Sequence, residues 1–279
     1  MTQAGSQDAK SRGICPGSLI AVCERMMSHH QSVDALVLAS ASPRRRELLG
    51  ALGALFRPIA TDAEEQEHVA PPDLVAALPA CPVPLATHPT LLAWRKADAA
   101  CAESPGSVII GADTIVVLDG DVLGKPRDPD HARAMLRRLS GRTHTVYTGL
   151  TIIRSLGGDK RRETRDVVSS LQSPASSLSL DLVASDVVVA ELTDDEIDAY
   201  VATGEPMDKA GAYGIQGLGG RLVRAVAGSY TCVVGLPLVA VHRLLVDAGM
   251  AGLNDPTDTY LRWLEAQGKE PLPCPPTFP

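Results

Sequence analysis

Apolar residues along the chain fall into short runs, some continuous and some spaced three and four apart, separated by Gly, Pro and small polar residues. Ala35-Leu36-Val37-Leu38-Ala39 is a continuous apolar run that reads as a buried strand. Ser42-Pro43 punctuates it and opens a helix. Serine is a good N-cap, proline suits the first helical position, and Leu48, Leu49 and Leu52 make one apolar face. The proline-rich stretch from Ala70 to Pro89 reads as a loop. Leu91 to Ala102, rich in alanine and good helix formers, predicts the next helix.

Ser107 to Leu118 is a β-rich run interrupted by Gly111-Ala112-Asp113, and Asp119-Gly120 predicts a hairpin turn into Val122-Leu123. Asp128-Pro129 caps a helix that runs to Leu139 and stops before Gly141. Thr143 to Arg154 predicts a strand, which Gly157-Gly158-Asp159 turns into Arg162 to Val168. Ser169 to Ser179 is serine-rich and reads as a surface loop, with Leu182 to Ala190 a strand after it. Thr193-Asp194-Asp195-Glu196 is a capping box, so a helix follows and ends at Gly204. Residues 204–220 form a glycine-rich loop of unusual length. Pro237 opens a helix over Leu238 to Ala248, and a short one spans Thr257 to Ala266.

Strands and helices alternate without strict period, and the hairpin argues against a purely parallel sheet. The expected class is α/β, a mixed central sheet with flanking helices. Residues 1–33 read as a loose tail, 34–268 as a single domain, and 269–279 as a second tail.

Composition narrows the partners. The formal net charge of −7 provides no global positive field for a nucleic-acid polymer, and 3% aromatic residues cannot stack many bases. Basic recognition must therefore be local, which suits a small polyphosphate. The six cysteines (15, 23, 81, 101, 232, 274) show neither a C-x-x-C pair nor zinc spacing and favour a reducing compartment. No apolar run approaches the ~20 residues needed to cross a bilayer. The leading residues lack a secretory apolar stretch, so cytoplasm is the expected location, with no membrane partner.

Four segments carry candidate chemistry. In Ser40-Ala41-Ser42-Pro43-Arg44-Arg45, unpaired helix-start N–H groups, two hydroxyls and two guanidiniums converge where a strand ends, which favours phosphate. Without an anion, basic residues there oppose the helix dipole. Asp113 follows an apolar strand and a glycine that would let a ligand approach, a common place for a metal ligand or base. Glu64-Glu65 gains meaning only if it meets Asp113 in space. Lys125, between Gly124 and Pro126, is presented from a rigid loop; alone, the tripeptide reads as a surface turn. In Asp208 to Gly217, glycines permit close backbone approach and Gln216 offers donor and acceptor to a base edge. No paired Ser/His/Asp order supports a hydrolase triad.

Together LASASPRRRELL from Leu38, GADTIVV from Gly111, LGKPRD from Leu123, SGRTHTVYTG from Ser140, GEPMDKAGAYGIQG from Gly204 and GSYTCVVGLPL from Gly228 resemble the Maf (septum-formation inhibitor) family of nucleoside triphosphate pyrophosphatases. The resemblance implies an α/β fold shared with inosine triphosphate pyrophosphatases, with a cleft between two lobes. It also implies hydrolysis of a nucleoside triphosphate to the monophosphate and pyrophosphate, assisted by Mg²⁺ or a similar divalent ion such as Mn²⁺. Asp113 matches the family's catalytic acceptor, for base or metal work. Arg44, Thr114 and Gln216 match positions linked to base selection, and the Thr–Gln pair resembles the branch acting on dTTP and UTP. Glu65, Lys96, Lys125 and Asp128 match further polar cleft positions. In this reading Asp113, Lys125 and Glu65 are catalytic, with Asp113 and Glu65 as metal ligands. Ser40, Ser42, Arg44, Arg45, Lys96, Thr114, Asp128, Lys209 and Gln216 bind substrate. The loops at 71–89 and 169–185 look longer than in typical bacterial members. A homodimer follows from family precedent. The alternatives are a non-catalytic nucleotide-binding regulator of cell division and an inosine triphosphatase of different motifs.

Overall fold

The computed structural model describes residues 35–61, 69–155 and 176–273. The expectations for residues 1–33, Glu64-Glu65, the turn and strand at 157–168 and the part of the 269–279 tail beyond 273 lie outside them; of that tail, 269–273 is described, with Leu272 packed against the core. β1 (Leu36–Ala39) is wholly buried, and α1 (Pro43–Ala51) starts after it, with Ser42 Oγ accepting the Arg45 N–H at 3.4 Å. β2 (Phe56–Ile59), unannounced by the pattern, lies at the sheet edge, where Pro58 deprives no central ladder of a donor. The stretch expected to be loop contains α2 (Pro72–Ala77), which starts on Pro72 and buries Leu74. α3 (Pro89–Cys101) follows.

β3 (Val108–Leu118) runs unbroken through Gly111-Ala112-Asp113, a correction to the expected interruption. β4 (Asp121–Leu123) pairs with it antiparallel across the hairpin, where Asp119 and Gly120 both take positive φ (54° and 82°) as a two-residue turn requires. α4 (Pro129–Leu139) begins on Asp128, and β5 (Thr143–Ser155) leads into the long ladder with β6 (Ser176–Val189). That ladder carries the strand into the serine-rich stretch, so 176–179 is strand rather than loop. α5 (Asp194–Ala202) has both hydrogen bonds of the expected capping box. The glycine-rich loop is organised by three 3₁₀ turns at Glu205–Asp208, Ala210–Ala212 and Leu218–Leu222. β7 (Val223–Ala227) and the short α6 (Tyr230–Val234) were not anticipated; α7 (Leu238–Asp247) and α8 (Pro256–Ala266) were.

The sheet order is β2-β1-β3-β5-β6-β7, parallel from β2 to β3 and antiparallel beyond, with β4 attached to β3. Strand alternation divides the core. Leu36, Leu38, Ile110 and Ala112 join one apolar cluster with α1, α4 and α7, whereas Val37, Ala39 and Ile109 join another with α3. Helix α3 lies very close to its face. A Cβ on Gly111 would come 2.1 Å from the Ala93 carbonyl oxygen, and one on Gly149 would come 2.2 Å from Thr90 N. Gly111 therefore makes room for helix backbone, not for ligand as its position beside Asp113 suggested.

One feature of the sheet positions the site. The β1 ladder on β3 ends at Gly111 and the β4 ladder starts at Val116, which leaves Ala112–Ile115 laddered only to β5 among the described residues. The chain leaving the carboxyl end of β1 enters α1 beside this gap, the type of place where open α/β sheets bind ligands.

Candidate active site

The residues after β1 are tied down by their own hydroxyls. Ser40, buried, accepts the Ser42 N–H at 3.2 Å and an Arg45 guanidinium N–H at 3.4 Å. Arg45 turns inward rather than toward solvent. Its Nε donates to the Gly235 carbonyl at 2.8 Å and its Nη2 to Thr114 Oγ1 at 3.1 Å. The first turn of α1 contains no acidic residue, so its positive dipole end faces no negative side chain of its own. Arg44 remains half-buried beside Asp208, 4.0 Å away.

Asp113 and Thr114 are neighbours on β3 and so belong to opposite faces. Asp113 joins α3, where Lys96 Nζ donates to its Oδ1 at 2.6 Å; the two residues are 9% and 6% exposed. Thr114 bonds Thr148 Oγ1 at 2.9 Å, and Thr148 in turn donates to the Cys232 carbonyl at 2.8 Å. Both nevertheless reach one hollow, because no described strand covers the intervening edge.

That hollow is a cleft of about 580 Å³ lined by Ser42, Arg44, Arg45, Lys96, Asp113, Thr114, Lys125, Lys209 and Gln216, with Asp208 and Tyr213 among its other walls. The size is ordinary for a small-molecule site. Among the described residues five cations face two carboxylates there, so these residues of a chain of net charge −7 form a locally positive recess. Lys125 is exposed at the end of β4, and the Gly124 carbonyl beside it accepts the Gly211 N–H at 3.1 Å, joining this turn to the glycine-rich loop. Lys209 pairs with Asp208, whose carboxyl it holds below the ordinary range, with Arg44 adding to the effect.

Gln216 presents a buried Oε1 with no hydrogen-bond partner among the described residues. An orphaned buried acceptor is costly, and it is satisfied when a donor arrives. Its loop is held by a residue that the sequence did not single out. Glu205 accepts N–H groups from Leu218 (2.8 Å) and Gly219 (3.1 Å) and the Tyr200 hydroxyl (3.0 Å). Burial pushes the Glu205 carboxyl up, but these donors and Lys209 together outweigh it and leave the group below its usual range. Gly217 faces that carboxylate so closely that a Cβ would lie 2.4 Å from both oxygens. An acidic residue at a helix end looks like solvated surface in sequence, so only the fold exposes this role.

Tyr213 is the other unflagged wall. Its hydroxyl meets His144 Nε2 at 2.9 Å, and burial lowers the histidine to about 4 and raises the phenol. Two predicted residues are not among those lining the cleft. Ser40 lies beneath the helix start, and Asp128 spends its carboxylate capping α4, accepting the His131 N–H at 2.7 Å. Glu65 lies outside the described residues. Among the described residues no group of three His, Cys, Asp or Glu side chains is placed to hold a metal, and no helix is long and apolar enough to cross a membrane.

Fold and site thus define an α/β protein with a cationic cleft at the carboxyl end of a parallel strand, flanked by a tightly held glycine-rich loop. The family model for Maf-like proteins matches residues 35–248, nearly the whole described sheet and its helices. Over 214 residues the chain is 44% identical to a dTTP/UTP pyrophosphatase of Escherichia coli O157:H7, covering 76% of this chain and 92% of that protein. Against the dTTP/UTP pyrophosphatase of Moorella thermoacetica it is 45% identical over 217 residues, 77% and 95% of the two chains. The enzyme of the same name from Yersinia pestis bv. Antiqua is 45% identical over 214 residues, again 76% and 92%. The chain belongs to the Maf-like protein family.

Proposed function

We propose that this protein hydrolyses nucleoside triphosphates, dTTP and UTP foremost, to the monophosphate and pyrophosphate. The observation that carries the reading is the one cleft in which a helix start, Lys125, the Lys96–Asp113 pair and the Gln216 side chain, its Oε1 unpartnered among the described residues, converge. The names of the relatives are those of enzymes, which favours catalysis over the regulator alternative.

The triphosphate lies along the start of α1, its oxygens drawn by the positive end of the helix and taking the Arg44 guanidinium. Lys96 fixes Asp113 Oδ1, which reserves Oδ2 for the attacking water. Water oxygen bonds to the α phosphorus as its proton passes to Asp113. The bond from the α phosphorus to the α–β bridging oxygen breaks, and pyrophosphate leaves with that electron pair. Lys125 neutralises the departing charge. At the other end of the cleft, the imide N3–H of uracil or thymine donates to Gln216 Oε1, and the amide N–H donates to a ring carbonyl.

Asp113, one of two cleft carboxylates among the described residues, suits Mg²⁺ or Mn²⁺, since such ions take one or two carboxylates and complete their shell with phosphate oxygens and water. Asp113, with Glu65, would hold it. When bound, the ion supplies charge neutralisation at the phosphates and a more acidic water. A single domain over residues 34–268 is part of the same proposal.

Asp113→Asn keeps the size of the side chain and removes the proton acceptor. The expected result is at least a ~100-fold lower kcat for pyrophosphate release from dTTP and UTP. Turnover near the wild-type rate would remove Asp113 from the chemistry.

A further inference from the structure

The family-matched residues end at 248, yet helix α8 and the residues after it are hydrogen-bonded to two elements that border the cleft. Trp263 Nε1 and Gln267 Nε2 both donate to Glu47 Oε1, at 2.9 and 3.2 Å. Glu47 belongs to α1, the helix whose start faces the cleft. The segment before α8 holds the other end of α1, with Asn254 N donating to the Leu52 carbonyl at 2.8 Å and Asn254 Nδ2 to the Ala51 carbonyl at 3.1 Å.

The same helix also reaches the glycine-rich loop. Tyr260 and Trp263 pack against Tyr230, ring centroids 5.8 and 6.2 Å away, and the Tyr230 hydroxyl donates to the Ile215 carbonyl at 3.2 Å. Just past α8, Gly268 takes φ 64° and the Lys269 N–H returns to the Leu264 carbonyl at 3.0 Å, which closes the helix end and aims the lysine back. Lys269 Nζ then donates to the Gln216 backbone carbonyl. Two consecutive carbonyls of the loop, at 215 and 216, are therefore held by this C-terminal segment, directly or through one tyrosine. Burial lowers the Lys269 ammonium while the Glu205 charge beneath the loop acts the other way, as expected for a lysine folded under it rather than waving in solvent.

We infer that Lys269, on a segment beyond the family-matched residues, is a positioning residue that fixes the Gln216 amide relative to the phosphate-gripping start of α1 and so sharpens selection of the base. The segment works as a calliper: one arm on α1 through Glu47, the other on Gln216 through Lys269. Lysine suits this position because its ammonium supplies several donors to a carbonyl that the loop leaves without a helical partner. The inference rests on the proposed reading of Gln216 as base reader.

Lys269→Met keeps the stem and removes the donor; Lys269→Arg keeps donor and charge. Steady-state pyrophosphate release is measured with dTTP, UTP, ATP and GTP, and UMP affinity by calorimetry. For K269M the expected result is a KM for dTTP and UTP raised about 10-fold with kcat within about 2-fold, because base contacts are made equally in ground and transition states. UMP binding weakens by a similar factor, the pyrimidine-to-purine ratio of kcat/KM falls, and K269R recovers most of the loss. A K269M protein that keeps both the ratio and the UMP affinity overturns the inference, as does an equal loss for all four nucleotides or a K269R no better than K269M. A wild type that releases no pyrophosphate from dTTP or UTP sinks the underlying function instead, and the two failures are told apart by that control.

Discussion

Replacing Lys96 with methionine tests the centre of the site by stability alone. Lys96 and Asp113 lie 2.6 Å apart with side chains 8% and 13% exposed. At an effective dielectric near 20 their gross attraction is about 6 kcal/mol, most of which offsets the cost of taking both ions out of water. The pair is thus worth little net, but breaking it strands the survivor: a buried carboxylate without its partner costs about 3–5 kcal/mol. For a domain of this size that corresponds to a melting temperature about 6–20 °C lower. Asp113→Asn combined with Lys96→Met leaves no charge to strand, so the double variant should regain about 2 kcal/mol over Lys96→Met while remaining inactive. Thermal melting and urea unfolding of wild type, both singles and the double close the cycle. A Lys96→Met protein that melts within a degree or two of wild type, or a double variant no more stable than that single, refutes a buried ion pair here.

Two further outcomes concern the frame around the site. Gly149→Ala puts a Cβ 2.2 Å from Thr90 N and 2.3 Å from the Pro89 carbonyl carbon, so α3 must move off the sheet. The expected loss is at least about 1–3 kcal/mol in urea unfolding, with reduced activity because Lys96 rides on the same helix; an unchanged midpoint contradicts the packing described. His144 is kept neutral by burial, its pKa lowered from 6.5 to about 4 against the opposing charge of Asp186. The unfolded chain protonates this ring below pH 6.5 whereas the native one does not, so its contribution is complete above that pH and falls away toward pH 4. Between pH 7 and 5 the loss is about 2 kcal/mol, and in His144→Gln that part of the pH slope should disappear.

What could be read from sequence was whatever depends on residues a few positions apart. The helix start at Ser42-Pro43, the Asp119-Gly120 turn and the capping box at Thr193 all appear as expected, because caps and tight turns are settled by local dihedral preferences and short-range hydrogen bonds. Ordered motifs also pointed to the residues that line the cleft. The edge strands β2 and β7 were invisible, since four or five residues carry too little pattern and become strands only by pairing with a partner far along the chain. Gly111 was misread for a related reason: whether a missing Cβ admits a ligand or a helix depends on what packs there, and it is α3. Likewise the pairing of Lys96 with Asp113, the anchoring of the glycine-rich loop by Glu205 and the reach of Lys269 to Gln216 join elements from different parts of the fold. Chain sequence supplied the chemical groups; tertiary packing selected their partners, because contact between distant residues is set by how the whole sheet and its helices close around one core.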